Sequence, residues 1–282
     1  MEFNKPSVEQ FFRVYFIQNF AVSPDEKQLV FSSNFTGHYN LWGMDLPNQF
    51  PYPLTFHNQS CHSVQYSKDG SYILASFDND GNELTQLYAL PNKGGELKAI
   101  RYDEASRHMN PIFSEDGTSL YYTGTKGNPT YLNLYHYNLE TNEESVLLEG
   151  VGAPTYLVDV SKSGDKLLTI KHFANTYTLA YLVENGDEVQ ITPKSENQYT
   201  VSDLQFVGED LVYLLTDFDD DVSYLAAYDV EAKTFSRLTN DVGVDFTSFK
   251  YDKDRNVLYL TSTVGVEDKL YRYDLNSNEL VK

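Results

Sequence analysis

Apolar runs and short polar breaks alternate along the chain with one recurring signature. An apolar run ends at Ser-x-Asp-Gly or a relative of it, and a second run of β-type residues begins a few positions later. The clearest copy is Phe113-Ser114-Glu115-Asp116-Gly117-Thr118-Ser119-Leu120-Tyr121-Tyr122. The same punctuation stands at Ser23-Pro24-Asp25-Glu26, Ser67-Lys68-Asp69-Gly70 and Ser161-Lys162-Ser163-Gly164, with weaker copies at Val207-Gly208-Glu209-Asp210 and Asp252-Lys253-Asp254-Arg255. Counted from the first residue of each copy, the steps are 44, 47, 47, 46 and 45 residues. Asp-Gly suits a two-residue hairpin, since Gly takes positive φ at little cost and the Asp carboxylate accepts from nearby backbone N–H groups.

Each repeat reads as four strands. A first strand leads into the turn, as in Val64-Gln65-Tyr66, and a second leaves it, as in Ile73-Leu74-Ala75 or Leu211-Val212-Tyr213. A third follows a polar loop, as in Asn40-Leu41-Trp42-Gly43-Met44-Asp45-Leu46 and Leu225-Ala226-Ala227-Tyr228-Asp229-Val230. A short outer strand closes the unit at Pro53-Leu54-Thr55, Leu97-Lys98-Ala99-Ile100, Ser145-Val146-Leu147-Leu148, Gln190-Ile191-Thr192, Ser236-Arg237-Leu238-Thr239 and Glu279-Leu280-Val281. Alternation within these runs buries one face of each strand. Repeats of 40–50 residues with several strands apiece predict an all-β fold, a β-propeller of four-stranded antiparallel blades. The repeats cover about 20–56, 62–100, 109–149, 155–193, 201–239 and 246–282, so that residues 20–282 form the propeller and residues 1–19 an N-terminal helical segment. Six blades either close by themselves, with residues 15–20 as a latch strand, or belong to a larger, seven-bladed ring. The end of the sequence with the sixth blade leads us to expect further chain after it.

Residues 7–16 predict a helix, with Ser7 as N-cap and Gln10 at the capping-box position. Phe11, Phe12 and Val14 are too apolar for a free surface, so this helix is expected to pack on the propeller rim or against a second domain.

Composition narrows the partners. A formal net charge of −20 argues against nucleic acid and against an anionic membrane surface, both of which call for clustered Lys and Arg. The opening Met1-Glu2-Phe3-Asn4-Lys5-Pro6 does not read as a signal peptide, and no stretch has the roughly 18 apolar residues of a spanning helix. One cysteine, Cys61, excludes an intramolecular disulfide framework and fits a reducing, cytoplasmic location.

These units resemble the TolB-type propeller repeat. The first matches best: Val22-Ser23-Pro24-Asp25-Glu26-Lys27-Gln28-Leu29-Val30-Phe31-Ser32-Ser33, then Asn40-Leu41-Trp42-Gly43-Met44-Asp45-Leu46, then Leu54-Thr55. The opening Ser7-Val8-Glu9-Gln10-Phe11-Phe12-Arg13, running into that blade, is similar to the start of prolyl oligopeptidase family peptidases of the acylaminoacyl-peptidase and dipeptidyl-peptidase side. The resemblance implies a propeller that precedes an α/β-hydrolase domain bearing a Ser-Asp-His triad, covers its active site and admits short peptides. The family's nucleophile elbow is missing, because no Ser here stands in Gly-x-Ser-x-Gly. Catalysis is therefore expected from a C-terminal hydrolase domain outside these residues, with none from this chain alone. A stand-alone TolB-like protein-binding propeller is the alternative. A metal-dependent propeller lyase is a further one, on the resemblance to oligogalacturonate lyases.

Candidate chemistry is sparse. His38, His57, His62, His108, His136 and His172 form no close metal-ligand spacing, and two channel-side histidines, His62 and His108, are fewer than a metal site uses. No metal or other cofactor is expected. Asp78-Asn79-Asp80-Gly81-Asn82-Glu83 and Asp217-Phe218-Asp219-Asp220-Asp221 occupy equivalent loops and read as solvated charge rather than as Ca²⁺ loops. Arg107, with Arg101 upstream, could pair with a substrate carboxylate or form an inter-blade salt bridge. Arg107, His108 and His62 are the candidate substrate-binding residues. Trp42 and the 23 tyrosines read as blade packing, and Cys61 as an ordinary thiol. An incomplete ring would expose an apolar blade face and favour self-association.

Overall fold

The computed structural model describes residues 5–47, 49–239 and 243–282. Residues 1–4, where the leader was sought, lie outside them. Among the described residues the chain folds into six four-stranded antiparallel sheets and one short helix, α1 (Val8–Phe12). Each sheet takes four strands consecutive in sequence, the blade order of a β-propeller.

The chain divides into two units, Met1–Met109 and Asn110–Lys282. The first holds blade 1, β1 (Ile17–Val22), β2 (Gln28–Ser33), β3 (Asn40–Asp45) and β4 (Pro51–Pro53), and blade 2, β5 (Cys61–Tyr66), β6 (Tyr72–Phe77), β7 (Gln86–Pro91) and β8 (Lys98–Arg101). Blade 3 comprises β9 (His108–Phe113), whose first two residues end the first unit, β10 (Ser119–Gly124), β11 (Asn133–Asn138) and β12 (Glu144–Glu149). Blade 4 comprises β13 (Thr155–Val160), β14 (Lys166–Ala174), β15 (Tyr177–Glu184) and β16 (Asp187–Gln190). Blade 5 follows with β17 (Val201–Val207), β18 (Leu211–Thr216), β19 (Tyr224–Asp229) and β20 (Thr234–Arg237). Blade 6 has β21 (Phe246–Asp252), β22 (Val257–Val264), β23 (Glu267–Asp274) and β24 (Glu279–Val281).

The cores lie between facing blades, because each sheet buries an apolar face only when a neighbour covers it. In the first unit Val30 and Leu41 of blade 1 pack with Ile73, Ala75 and Leu90 of blade 2. In the second, Leu168 and Ile170 of blade 4 pack with Leu204, Phe206 and Leu214 of blade 5, and Leu215 and Leu225 of blade 5 with Phe249 and Leu260 of blade 6.

Four expectations change. In blades 1 to 4 the repeated turn is a four-residue loop, not a two-residue hairpin, and in blade 5 three residues, 208–210, make the turn. In blade 2 the Ser67 N–H donates to the Tyr72 carbonyl at 2.9 Å, and the Gly70 N–H to the Ser67 carbonyl at 2.9 Å. The Asp69 carboxylate accepts from the Ser67 hydroxyl at 2.7 Å and the Ser71 N–H at 3.0 Å, which fixes the loop from inside. Gly70 sits at φ +71°, as the last turn position requires.

In blades 1, 4 and 5 the Leu-Thr or Ile-Thr ending of the repeat lies beyond the outer strand, where it turns back into the core. Leu54 and Thr55 are both 2% exposed, and the Thr55 hydroxyl accepts from the Leu41 N–H at 2.9 Å. Thr239 repeats the contact on the Leu225 N–H at 3.0 Å. The Leu fills space between blades, and the Thr satisfies the N–H of the third strand's second residue, which lies just past the end of the pairing with the outer strand.

Residues 17–22 are the first strand of blade 1 and pair with β2 alone, not as a latch in another sheet. Helix α1 stops at Phe12 rather than 16. Gln10 Oε1 accepts from the Ser7 N–H at 2.8 Å, so the expected N-terminus holds, but Val8, Phe11 and Phe12 are 71%, 69% and 81% exposed. A single helical turn that buries nothing has no packing to extend it.

Candidate functional site

The first strands carry a repeated irregularity. The β-ladder register shifts by one residue at Ile17/Asn19, Cys61/Ser63, Leu157/Asp159, Val201/Asp203 and Phe246/Ser248. A bulge frees one residue per strand from the pleat and re-aims it. In blade 2 that residue is His62.

Beside the bulges, first strands of neighbouring blades are tied together by polar side chains. Asn19 Nδ2 donates to the His62 carbonyl at 3.2 Å in the first unit, and Asn110 Nδ2 to the Leu157 carbonyl at 3.1 Å in the second. Asp159 accepts from the Phe206 N–H at 2.8 Å, and Asp203 from the Phe249 N–H at 3.1 Å. Burial pushes the Asp203 carboxyl above its ordinary range, opposed by the Phe249 N–H and Lys250. These contacts hold neighbouring strands in step and serve the fold.

A concavity lies in blade 2, where the connection between β6 and β7 runs from Asp78 to Thr85. Its first carboxylate, Asp78, has a side chain only 6% exposed, with Oδ1 3.4 Å from His62 Nε2. Its last, Glu83, holds Arg107 at 2.9 Å. Two of the three sequence-predicted residues, His62 and Arg107, thus converge on the two ends of one acidic loop. Arg107 forms the expected ion pair between loop and strand entry. His108 is 2% exposed, so its side chain belongs to the interior, while its N–H and carbonyl bind Thr85 at 2.8 and 3.0 Å.

A cavity of about 690 Å³ opens against this loop, lined by Phe77, Asp78, Tyr88, Leu97, Tyr102 and Glu104 together with amide and histidine side chains. Gln86 builds its floor: Nε2 donates to the carbonyls of Leu84, Asp103 and Ser106 at 2.8–2.9 Å, and Oε1 accepts from the Asp103 N–H at 2.8 Å. Gln59 fixes the loop tip, accepting from the Asp80 N–H at 2.7 Å and donating to the Asp80 carboxylate at 3.0 Å. Sequence reasoning missed Gln86, Tyr88, Tyr102 and Glu104. One signal was present: a buried amide opens the third strand in blades 1 to 3, as Asn40, Gln86 and Asn133.

The remaining candidates are structural. Asp220 of the second acidic loop pairs with Arg237 at 2.7 Å, and Asp217 accepts from the Thr200 N–H. His136 and His172 pack on Tyr121 and Tyr156, and burial lowers both imidazoles below their ordinary pKa. Cys61 is buried, with its thiol pushed up to about 12 by desolvation. Among the described residues no three His, Cys, Asp or Glu side chains converge as metal ligands, and no helix is long and apolar enough to cross a membrane.

Comparison with known proteins places the fold. The family model of the dipeptidyl peptidase IV N-terminal region matches residues 51–179. A prolyl endopeptidase structure superposes with a TM-score of 0.73 at 16% identity, covering 96% of this chain and 43% of that one. An oligogalacturonate lyase in complex with manganese gives 0.74 at 13% identity, over 94% of this chain and 77% of the lyase. TolB from Acinetobacter baumannii gives 0.60 at 14% identity, over 86% and 58%. No curated protein matches the chain in sequence. At these identities the structural likenesses show the fold alone. The chain is a β-propeller, and over residues 51–179 it resembles the dipeptidyl peptidase IV N-terminal region. It spans less than half the length of the prolyl endopeptidase it matches.

Proposed function

We propose that this chain is the propeller of a serine peptidase, gating access and selecting short peptides for a C-terminal α/β-hydrolase domain of the same polypeptide. The match of residues 51–179 to the dipeptidyl peptidase IV N-terminal region carries the reading. Chemistry falls to the hydrolase partner, through a serine nucleophile and its His-Asp relay. The propeller contributes a barrier: closely packed blades exclude a folded protein and pass only chain segments thin enough to thread between rigid walls. The single, buried Cys61 supports a reducing compartment such as the cytoplasm. The exposed apolar residues Phe20 (68%) and Val22 (47%) of β1 support burial of that face against another protein surface, the hydrolase domain or a second copy of the chain.

The test is the intact mass of the native gene product in its source cells, together with labelling by a serine-directed fluorophosphonate. A labelled product of about twice 32.3 kDa is the expected result. An unlabelled product of 32.3 kDa would overturn the peptidase reading and leave a stand-alone binding propeller.

A further inference from the structure

The cavity of blade 2 has a composition that selects one ligand chemistry. Its volume of about 690 Å³ is that of a small-molecule site. Phe77, Tyr88 and Tyr102 supply aromatic surface, and Leu84 and Leu97 complete an apolar wall. Asp78 and Glu104 supply the formal charges, and no Lys or Arg is among the lining residues.

Asp78 is the informative group. Its carboxylate is almost fully withdrawn from water, yet its two contacts are long: His62 Nε2 at 3.4 Å and the Glu83 N–H at 3.4 Å. Well-formed N–H···O bonds are about 2.7–3.2 Å, so a carboxylate with room for several donors is left under-coordinated on the cavity wall. Glu188, whose side chain is 19% exposed, has by contrast a close partner in Lys171 at 2.6 Å. The walls are already rigid, since Gln86 and Gln59 spend their amides on the backbone and loop that frame the opening. A preformed site of this kind charges a ligand little for ordering it.

We propose that this cavity binds a small organic cation, an ammonium group carried on an aryl or alkyl body. The ammonium lies against Asp78, with Glu104 at the rim; the apolar body lies among Phe77, Tyr88 and Leu97. The aromatic faces add attraction for the cation through their quadrupoles. Anionic ligands are disfavoured twice, by the two carboxylates and by the net charge of −20. This inference is independent of whether the chain serves a peptidase.

Titration calorimetry on the 282-residue chain tests it with three probes of one shape: phenethylamine, 2-phenylethanol and phenylacetate. Phenethylamine should bind saturably, 2-phenylethanol about tenfold or more weakly, and phenylacetate not measurably. Asp78→Asn should weaken phenethylamine by about tenfold and leave 2-phenylethanol unchanged. Should Asp78→Asn fail to fold, Glu104→Gln and Tyr102→Ala, both on the exposed rim, should each weaken the amine about threefold. A phenylalanyl-glycine amide with a free amino end, compared with its N-acetyl form, tells a peptide end from a free amine. Tighter binding than phenethylamine, lost on acetylation, assigns the cation to a peptide end; weaker binding assigns it to a free amine. Equal binding of all three probes, no saturable binding of either amine, or amine binding unchanged in the variants overturns the proposal.

Discussion

Blades 2 and 4 start from the same repeat and end as different objects. In blade 4 the second and third strands run long, β14 to Ala174 and β15 from Tyr177, and pair to the last residue before the turn. In blade 2 the ladder stops at Phe77↔Gln86, and the eight residues between them form the acidic loop. The bulge residue is Val158 in one and His62 in the other. Blade 4 closes its ionic contact: Lys171, 7% exposed, meets Glu188 at 2.6 Å and lies over the Tyr181 ring at 5.1 Å. Blade 2 leaves Asp78 with two distant partners beside an open cavity. The same unit therefore yields a sealed element where the hairpin is tight and a candidate site where the hairpin opens into a loop.

The largest expected effect is on the sealed side. Lys171→Met leaves the half-buried Glu188, 19% exposed, without its cation and should cost about 3 kcal/mol of stability, read by urea denaturation. Adding Glu188→Leu should recover most of it, because an apolar pair of similar volume replaces a buried ion pair at little net cost. A single variant within 0.5 kcal/mol of wild type, on the order of an ordinary surface substitution, would show that the pair is not sealed.

The turns give a second, intermediate contrast. The Ser67 hydroxyl, then the Ser71 N–H and hydroxyl, hold Asp69 down to about 2, whereas Ser163 occupies that place in blade 4 and leans on Glu209 of the next blade. A carboxyl whose folded pKa lies below its unfolded value, about 3.9, stabilises the fold above that value and loses the contribution as pH falls toward the folded pKa. Asp69→Asn should therefore lower the unfolding midpoint at pH 7, and its difference from wild type should vanish between about pH 4 and pH 2. A difference that persists unchanged at pH 2 would mean that the carboxylate charge is not what holds the turn.

The smallest effect is at the bulge. His62→Val, which installs the residue blade 4 uses there, should change stability by no more than about 0.5 kcal/mol, since the His62 side chain is 41% exposed. A loss of about 2 kcal/mol would make His62–Asp78 a sealed pair like that of blade 4 and remove the contrast.

Much of this architecture was legible. The 44–47-residue spacing gave the blades, and the alternation in Ile73-Leu74-Ala75 or Leu225-Ala226-Ala227 gave their strands, because side-chain direction in a strand has period two and needs no knowledge of neighbours. Leu54-Thr55 was legible as a mark but not as a shape: its role depends on where the next blade's face lies. The helix expected over 7–16 is present but shorter, Val8–Phe12, for the complementary reason: its apolar residues were read as buried with no partner in sight to bury them.

The sequence by itself thus determined the repeat, the strand content and the acidity, all set by local backbone preference and by counting charge. Only the tertiary structure decided that His62 and Arg107 bracket one loop, that His108 is interior, and that Gln86, Tyr88, Tyr102 and Glu104 face a common cavity. These residues are scattered from 62 to 108, and what joins them is the folding of successive connections onto one end of a blade. That juxtaposition is a property of the closed hairpins and bulges together, which no single stretch of sequence encodes.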